Sequence, residues 1–278
     1  MKIHGLLFRK ILQAGFEALV RMESEVNAIN VFPVADRDTG SNLVQTLGPA
    51  VQALPETPHL GNLLVALEDP LLESAQGNAG LIFAAYLLGA AQDLAGETAV
   101  SASRFAETLR KCAAQARTAV AEPKEGTILT TMSAFAEGFA QEVREGGDVP
   151  DAWVRGLEQA KQALAETQEV LPVLKEAGVV DAGALGFVTW LEGGLHALLE
   201  ASPKVEVQAL LLNATGTSEI QHLLQQWGTS VVVISVDTRT RIHVHTAVPR
   251  AVLRHLVRHG ILDRYEITPL PSDQSSSA

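Results

Sequence analysis

Residues 1–201 predict an all-α helical bundle of about eight antiparallel helices, and residues 203–270 predict a small βαββαβ unit, so the fold class is α+β. Three observations carry this expectation. Apolar residues recur at helical spacing almost continuously to Ala201, then switch to short strand-like runs after Pro203. Charge changes at the same place: residues 203–278 hold seven Lys/Arg and six Asp/Glu, net +1, so of a total of −11 the preceding residues carry −12. A chain of 278 residues, 47% hydrophobic, is also long enough to bury two separate cores.

The elements follow in order. Phe8, Ile11, Leu12, Phe16, Leu19 and Val20 mark a first amphipathic helix. Asp69-Pro70 reads as an N-cap followed by proline at the first helical position, with Gly77 as the glycine that stops that helix. Ala79–Leu94 is apolar nearly all round, as suits a helix buried in a bundle. Phe105–Val120, Ile128–Val143, Ala152–Ala165 and Gly183–Leu199 complete the helical part, and short connections favour antiparallel neighbours. Beyond Pro203, Val205–Leu212 reads as a strand, Ser218–Trp227 as a helix, Ser230–Val236 and Arg241–Thr246 as strands, Val248–His259 as a helix and Ile261–Thr268 as a last strand. That order is the ferredoxin-like signature. The tail 271–278, rich in serine, reads as disordered.

Composition excludes several roles. A net charge of −11 gives nucleic-acid binding no electrostatic support. The N-terminus has no signal-peptide pattern. The uncharged stretch Ser74–Gln92 is interrupted by Gly-Asn-Ala-Gly and reads as a buried helix rather than a membrane span. Cys112 is the single cysteine, which rules out an intrachain disulfide and fits a reducing cytoplasm.

The segment Asn27-Ala-Ile-Asn-Val-Phe-Pro-Val-Ala-Asp-Arg-Asp-Thr-Gly-Ser-Asn42 is the most informative in the chain. Pro33 keeps Asp36 and Asp38 out of a helix interior, and residues two apart in an extended segment point the same way. Two such carboxylates suit Mg²⁺, which takes one or two carboxylates plus waters and phosphates. Thr39, Ser41 and Asn42 then open a helix whose hydroxyls and free N–H groups suit an anion. The same residues also fit a polar turn with a capping aspartate. Gly77, Asn78, Ala79 and Gly80 form a second candidate phosphate element at a helix start, or else an ordinary helix–helix turn. His243 and His245 share a strand face and can begin a Zn²⁺ site, or be two satisfied strand histidines.

Five segments resemble the fatty acid kinase A subunit family, whose ATP domain is related to the L subunit of dihydroxyacetone kinase. They are Asn30–Asn42, Gly77–Gly80, Glu125-Gly-Thr-Ile-Leu-Thr130, Leu171–Gly183 and Ile242–Pro249, in that order along almost the whole chain. The resemblance implies a closed helical barrel with nucleotide at one end and a middle domain that pairs in a homodimer. It implies Mg²⁺ on Asp36 and Asp38, and nucleotide contacts from Asn30, Thr39, Ser41, Asn42, Gly77, Asn78, Ala79, Gly80, Thr127, Asp181 and Gly183. Asn30 stands where dihydroxyacetone kinase relatives carry a third metal-binding aspartate. Glu206 falls where the family has a cysteine beside the two histidines, so Glu206, His243 and His245 form a weaker candidate zinc set. Arg37, Gln76 and Ala79 replace the family's usual Gly, Arg and Ser.

The expected function is the Mg-ATP-binding subunit of a two-component kinase. It acts on a fatty acid carboxylate presented by a separate lipid-binding subunit. Two alternatives stay open: a non-catalytic nucleotide-binding regulator, favoured by Arg37, Gln76 and Ala79, and a dihydroxyacetone-type sugar kinase subunit. The family's further C-terminal domain is expected to be absent.

Overall fold

The computed structural model describes residues 1–270; the predicted tail 271–278 lies outside the described residues. The chain divides into two compact units, Met1–Leu198 and Leu199–Ala278.

The first unit is helical. It contains α1 (Gly5–Arg21), α2 (Glu23–Ala28), α3 (Thr39–Gln52), α4 (Leu60–Val65), α5 (Glu68–Ser74), α6 (Gly77–Leu94), α7 (Ala102–Thr118), α8 (Ile128–Arg144), α9 (Val149–Val170), α10 (Pro172–Ala177) and α11 (Ala182–Ala201). Seven of these are long, between 14 and 22 residues, and the other four are short turns of helix of six or seven. Two strands of two residues each, β1 (Ile3–His4) and β2 (Ala99–Val100), pair antiparallel beside α1. The helices wrap an aromatic core in which Phe83, Phe135, Trp153, Phe187 and Trp190 meet mostly edge to face. Trp153 Nε1 donates to the Leu191 carbonyl at 3.0 Å, so this buried indole keeps a polar partner. Cys112 is buried there, and burial pushes its thiol up to about 12, which makes it inert as a nucleophile.

Two local expectations change. Helix α5 begins at Glu68, so Asp69 and Pro70 lie inside its first turn rather than at its cap. Gly77 does have positive φ (62°), but it stands at the start of α6, three residues past Ser74, the last residue of α5.

The second unit contains β3 (Val205–Leu212), α12 (Thr217–Trp227), β4 (Gly228–Val236), β5 (Arg239–Thr246), α13 (Pro249–His259) and β6 (Ile261–Pro269). This is the predicted βαββαβ order, and the four strands form one antiparallel sheet in the order β4-β5-β3-β6. Alternation along β3 and β5 buries Val207, Ala209, Leu211, Ile242 and Val244 on one face, with Ile220 and Leu224 of α12 and Val252 and Leu256 of α13 also buried. Among the described residues, no helix is long and apolar enough to cross a membrane.

Candidate functional site

A cavity of about 570 Å³ opens in the helical unit. The loop between α2 and α3 forms one part of its wall through Phe32, Pro33, Val34, Asp36 and Asp38. The starts of α3, α6, α8 and α11 contribute Thr39 and Asn42, Gly77–Ala79, Thr127–Leu129, and Asp181 with Gly183. A Cβ on Gly183 would lie 3.4 Å from Ala79 Cβ, Ile128 Cβ and Asp181 Oδ1, which measures how closely three of these helix starts converge. Helix N-termini carry partial positive charge, so their convergence favours a polyanion.

Asn30 organises the carboxylate loop. It is 2% exposed. Its Oδ1 accepts from the N–H groups of Asp38 and Thr39, both at 3.1 Å. Its Nδ2 donates to the carbonyls of Phe32 at 3.4 Å and Val34 at 3.2 Å. Both polar atoms of the amide are thus occupied by the loop itself, and Asn30 lines the cavity as a clamp rather than as an open metal ligand. Asn27 does the same one turn later: its Oδ1 accepts from Gly40 N–H at 2.7 Å and Ser41 N–H at 3.1 Å.

These two asparagines correct one expectation. The first amides of α3 are not free for an anion, because Asn27 and Asn30 already satisfy them. Ser41 also turns away from the cavity. Its hydroxyl donates to Glu23 at 2.6 Å and accepts from Asn27 Nδ2 at 3.0 Å. Helix α6 keeps the open N-terminus: Gln76 precedes it, and no side chain caps its first amides. Gly77 packs so tightly on Asn42 that a Cβ there would lie 2.4 Å from Asn42 Nδ2, and its φ of 62° adds strain for any L side chain. Gly80 does not line the cavity; it packs on Thr46, whose hydroxyl holds the Gln76 N–H at 3.0 Å.

Asp36 and Asp38 both line the cavity and are exposed. Among the described residues neither carboxylate has an ion-pair or hydrogen-bond partner. Two hard, unpaired oxygen donors at the rim of a polyanion-favouring cavity fit Mg²⁺. Arg37 between them takes φ 58°, the left-handed region that favours glycine, and it is not part of the cavity lining.

Asp181 ties two helices together. Its Oδ1 accepts from Ile128 N–H at 3.1 Å and Ala184 N–H at 2.8 Å, capping α8 and α11 at once. Burial pushes its carboxyl up to about 6, against the two backbone N–H groups that favour the charged form. Thr127 caps α8 and donates its hydroxyl to the Lys124 carbonyl at 2.9 Å.

The zinc expectation is not met. Glu206 Oε1 sits 3.2 Å from His243 Nδ1 and also accepts from Gln208, and the His243 and His245 rings lie 4.9 Å apart. Among the described residues no three His, Cys, Asp or Glu side chains gather to hold a metal. Glu206 and His243 form an ordinary cross-strand pair instead.

The sequence reading missed Asn27 and Glu23, which hold α3 from α2, and the α7–α8 loop, which brings Ala119–Glu122 and Lys124 to the cavity. Asn27 opens the informative segment, and the loop precedes the Glu-Gly-Thr segment, so both lay beside a motif without being part of it.

The DAK2 domain family matches residues 33–196, and the fatty acid kinase A-subunit-like middle domain matches residues 204–277. An uncharacterized protein of Staphylococcus epidermidis is 29% identical over 96% of this chain and 55% of its own. Protein YloV of Bacillus subtilis is 28% identical over 99% of this chain and 57% of its own. The chain therefore spans about half the length of the curated relatives it matches. The crystal structure of the dihydroxyacetone kinase of C. freundii matches with TM-score 0.52 at 17% identity, covering 68% of this chain and 34% of that one. The same enzyme in complex with AMP-PNP and Mg²⁺ gives 0.54 at 17%, over 68% and 33%. At that identity the likeness establishes the shared fold.

Proposed function

The chain belongs to the DAK2-domain family and carries a fatty acid kinase A-subunit-like middle domain, and we propose that it is the Mg-ATP-binding subunit of a two-component kinase. One observation carries this reading. The unpaired carboxylates of Asp36 and Asp38 line the same cavity as the uncapped start of α6. Asp36 and Asp38 would hold Mg²⁺, which when bound neutralises phosphate charge. Gly77, Asn78 and Ala79 would offer backbone N–H groups to the phosphates. Thr39, Asn42, Thr127 and Gly183 would close round the nucleotide, with Asn30 and Asp181 holding the walls in place. The C. freundii dihydroxyacetone kinase complex with AMP-PNP and Mg²⁺ supports ATP and Mg²⁺ for the family fold.

The acceptor on this reading is a fatty acid carboxylate. A separate lipid-binding subunit presents it, and the product is an acyl phosphate. A carboxylate is ionised at neutral pH and needs no strong base, so the work falls on positioning and charge. We place the protein in the cytoplasm, which suits a buried free thiol, and assign it a homodimer built on the second unit.

A non-catalytic nucleotide-binding role is the second reading, favoured by the left-handed backbone of Arg37 together with Gln76 and Ala79. A dihydroxyacetone-type sugar kinase subunit is the third, favoured by the fold match.

Calorimetry of ATP with and without Mg²⁺ tests the site. Binding should require Mg²⁺, and Asp36→Ala with Asp38→Ala should remove the metal-dependent part. A parent protein with no metal-dependent binding would overturn the reading. Acyl phosphate formation with a lipid-binding partner then separates the catalytic role from the regulatory one, and Arg37→Gly with Ala79→Ser should raise it.

A further inference from the structure

Resting on the nucleotide reading above, we propose that Lys124 is a phosphate-binding residue of the cavity, held at Glu122 until a polyphosphate arrives. The cavity lining is acidic: Asp36, Asp38, Glu122 and Asp181 face it, and among the described lining residues Lys124 is the one Lys or Arg. A polyanion entering there needs positive charge. The helix starts supply less of it than their number suggests, because Asn27 and Asn30 occupy the first amides of α3, and Asp181 occupies amides of α8 and α11. Helix α6 has no side-chain cap, and α3, which also lacks a cap from its own Asp38, has its first amides filled by Asn27 and Asn30. A side-chain cation is the natural complement.

The loop that carries Lys124 is already set. The Lys124 carbonyl accepts from the Thr127 hydroxyl at 2.9 Å. Gly126 N–H donates to Thr130 Oγ1 at 3.0 Å, Thr130 donates to Glu125 at 2.8 Å, and Glu125 pairs with Arg117. The side chain of Lys124 is loosely held, its Nζ 3.7 Å from Glu122 Oε2, and both residues are exposed. An exposed pair at that distance contributes little and is readily exchanged. An ammonium on a flexible four-carbon stem is a compact charge that phosphate oxygens can draw away from a carboxylate. Glu122 thereby keeps the cation beside the cavity without capturing it.

The test is titration of the full chain with Mg-ATP, Mg-ADP and adenosine, for the parent, Lys124→Ala, Lys124→Arg and Glu122→Gln. Lys124→Ala should weaken Mg-ATP about tenfold and Mg-ADP less, with adenosine held within about twofold. Lys124→Arg should stay within about threefold of the parent, and Glu122→Gln should tighten Mg-ATP about twofold or more. Equal loss for ATP and adenosine, or no loss at all, overturns the assignment of Lys124 while leaving nucleotide binding intact. An unchanged Glu122→Gln overturns the holding role of Glu122. A parent that binds no Mg-ATP overturns the nucleotide reading instead.

Discussion

Asn30 Oδ1 accepts the backbone N–H of Asp38 at 3.1 Å, and through this bond a residue buried behind the loop sets the carboxylates in front of it. The amide spends its acceptor on Asp38 and Thr39 and its donors on Phe32 and Val34. An aspartate at this position keeps the acceptors and loses both donors, leaving a carboxylate oxygen against two carbonyls. Asn30→Asp should therefore cost about 1–3 kcal/mol in the metal-free protein. Mg²⁺ should restore part of that loss, because the new charge lies in the same cavity as Asp36 and Asp38. Thermal unfolding with and without Mg²⁺ measures both effects; a variant as stable as the parent without metal would show that the clamp contributes nothing.

Arg37 offers the opposite experiment. Its φ of 58° is unfavourable for a side chain with a Cβ and ordinary for glycine. Arg37→Gly should stabilise the protein by about 0.5–1 kcal/mol, the relief of strain being partly offset by the freedom glycine gains when unfolded. Denaturant midpoints of parent and variant give the difference. A lower midpoint for the variant would mean that the Arg37 side chain makes stabilising contacts that outweigh its backbone.

Asp181 predicts a pH dependence of definite sign. Its carboxyl is pushed up to about 6 in the folded protein, so the folded state holds that proton more tightly than the unfolded one does. The penalty for ionising it is absent below the ordinary carboxylate range, grows between about pH 4 and pH 6, and is complete above. Asp181→Asn keeps an oxygen to accept from Ile128 and Ala184 and carries no charge. It should be more stable than the parent at pH 7, by on the order of 2–3 kcal/mol, and the advantage should shrink as pH falls toward 4. Denaturation at several pH values between 4 and 8 checks it; a constant difference across that range would disprove the assignment.

Much of this was legible in the sequence, and the exceptions share a cause. Strand β3 runs over Val205–Leu212 as its alternation predicts, and α12, α13, β5 and β6 begin or end within two residues of expectation. These are regular, locally patterned elements. Strands β1 and β2 were invisible because each is two residues long and exists only by pairing Ile3 with Val100. The anion-binding start of α3 was misread for a similar reason. Thr39-Gly-Ser-Asn looks like an open helix start until Asn27, over ten residues earlier, is seen filling it. Ser41 follows the same rule, since Glu23 draws its hydroxyl away. Local pattern reports which element forms; it does not report which distant side chain already uses that element's free groups.

The second unit carries the last prediction. Its sheet buries one face with helices α12 and α13, and the opposite face bears Val232, Ile234 and Val236 of edge strand β4, between 47% and 64% exposed. The register sets them opposite His243, Arg241 and Arg239, so an apolar strip runs beside a basic one. Glu206 and Glu266 lie on that same face, across β3 and β6, which makes it charge-complementary to a second copy turned through a two-fold axis. Exposed apolar strips of this kind mark interfaces. The full chain should be a dimer at micromolar concentration, and Ile234→Asp should convert it to a monomer while leaving its helical spectrum unchanged. Light scattering reads the mass directly. A parent that runs as a monomer, or a variant as dimeric as the parent, would remove this face from consideration as the homodimer contact.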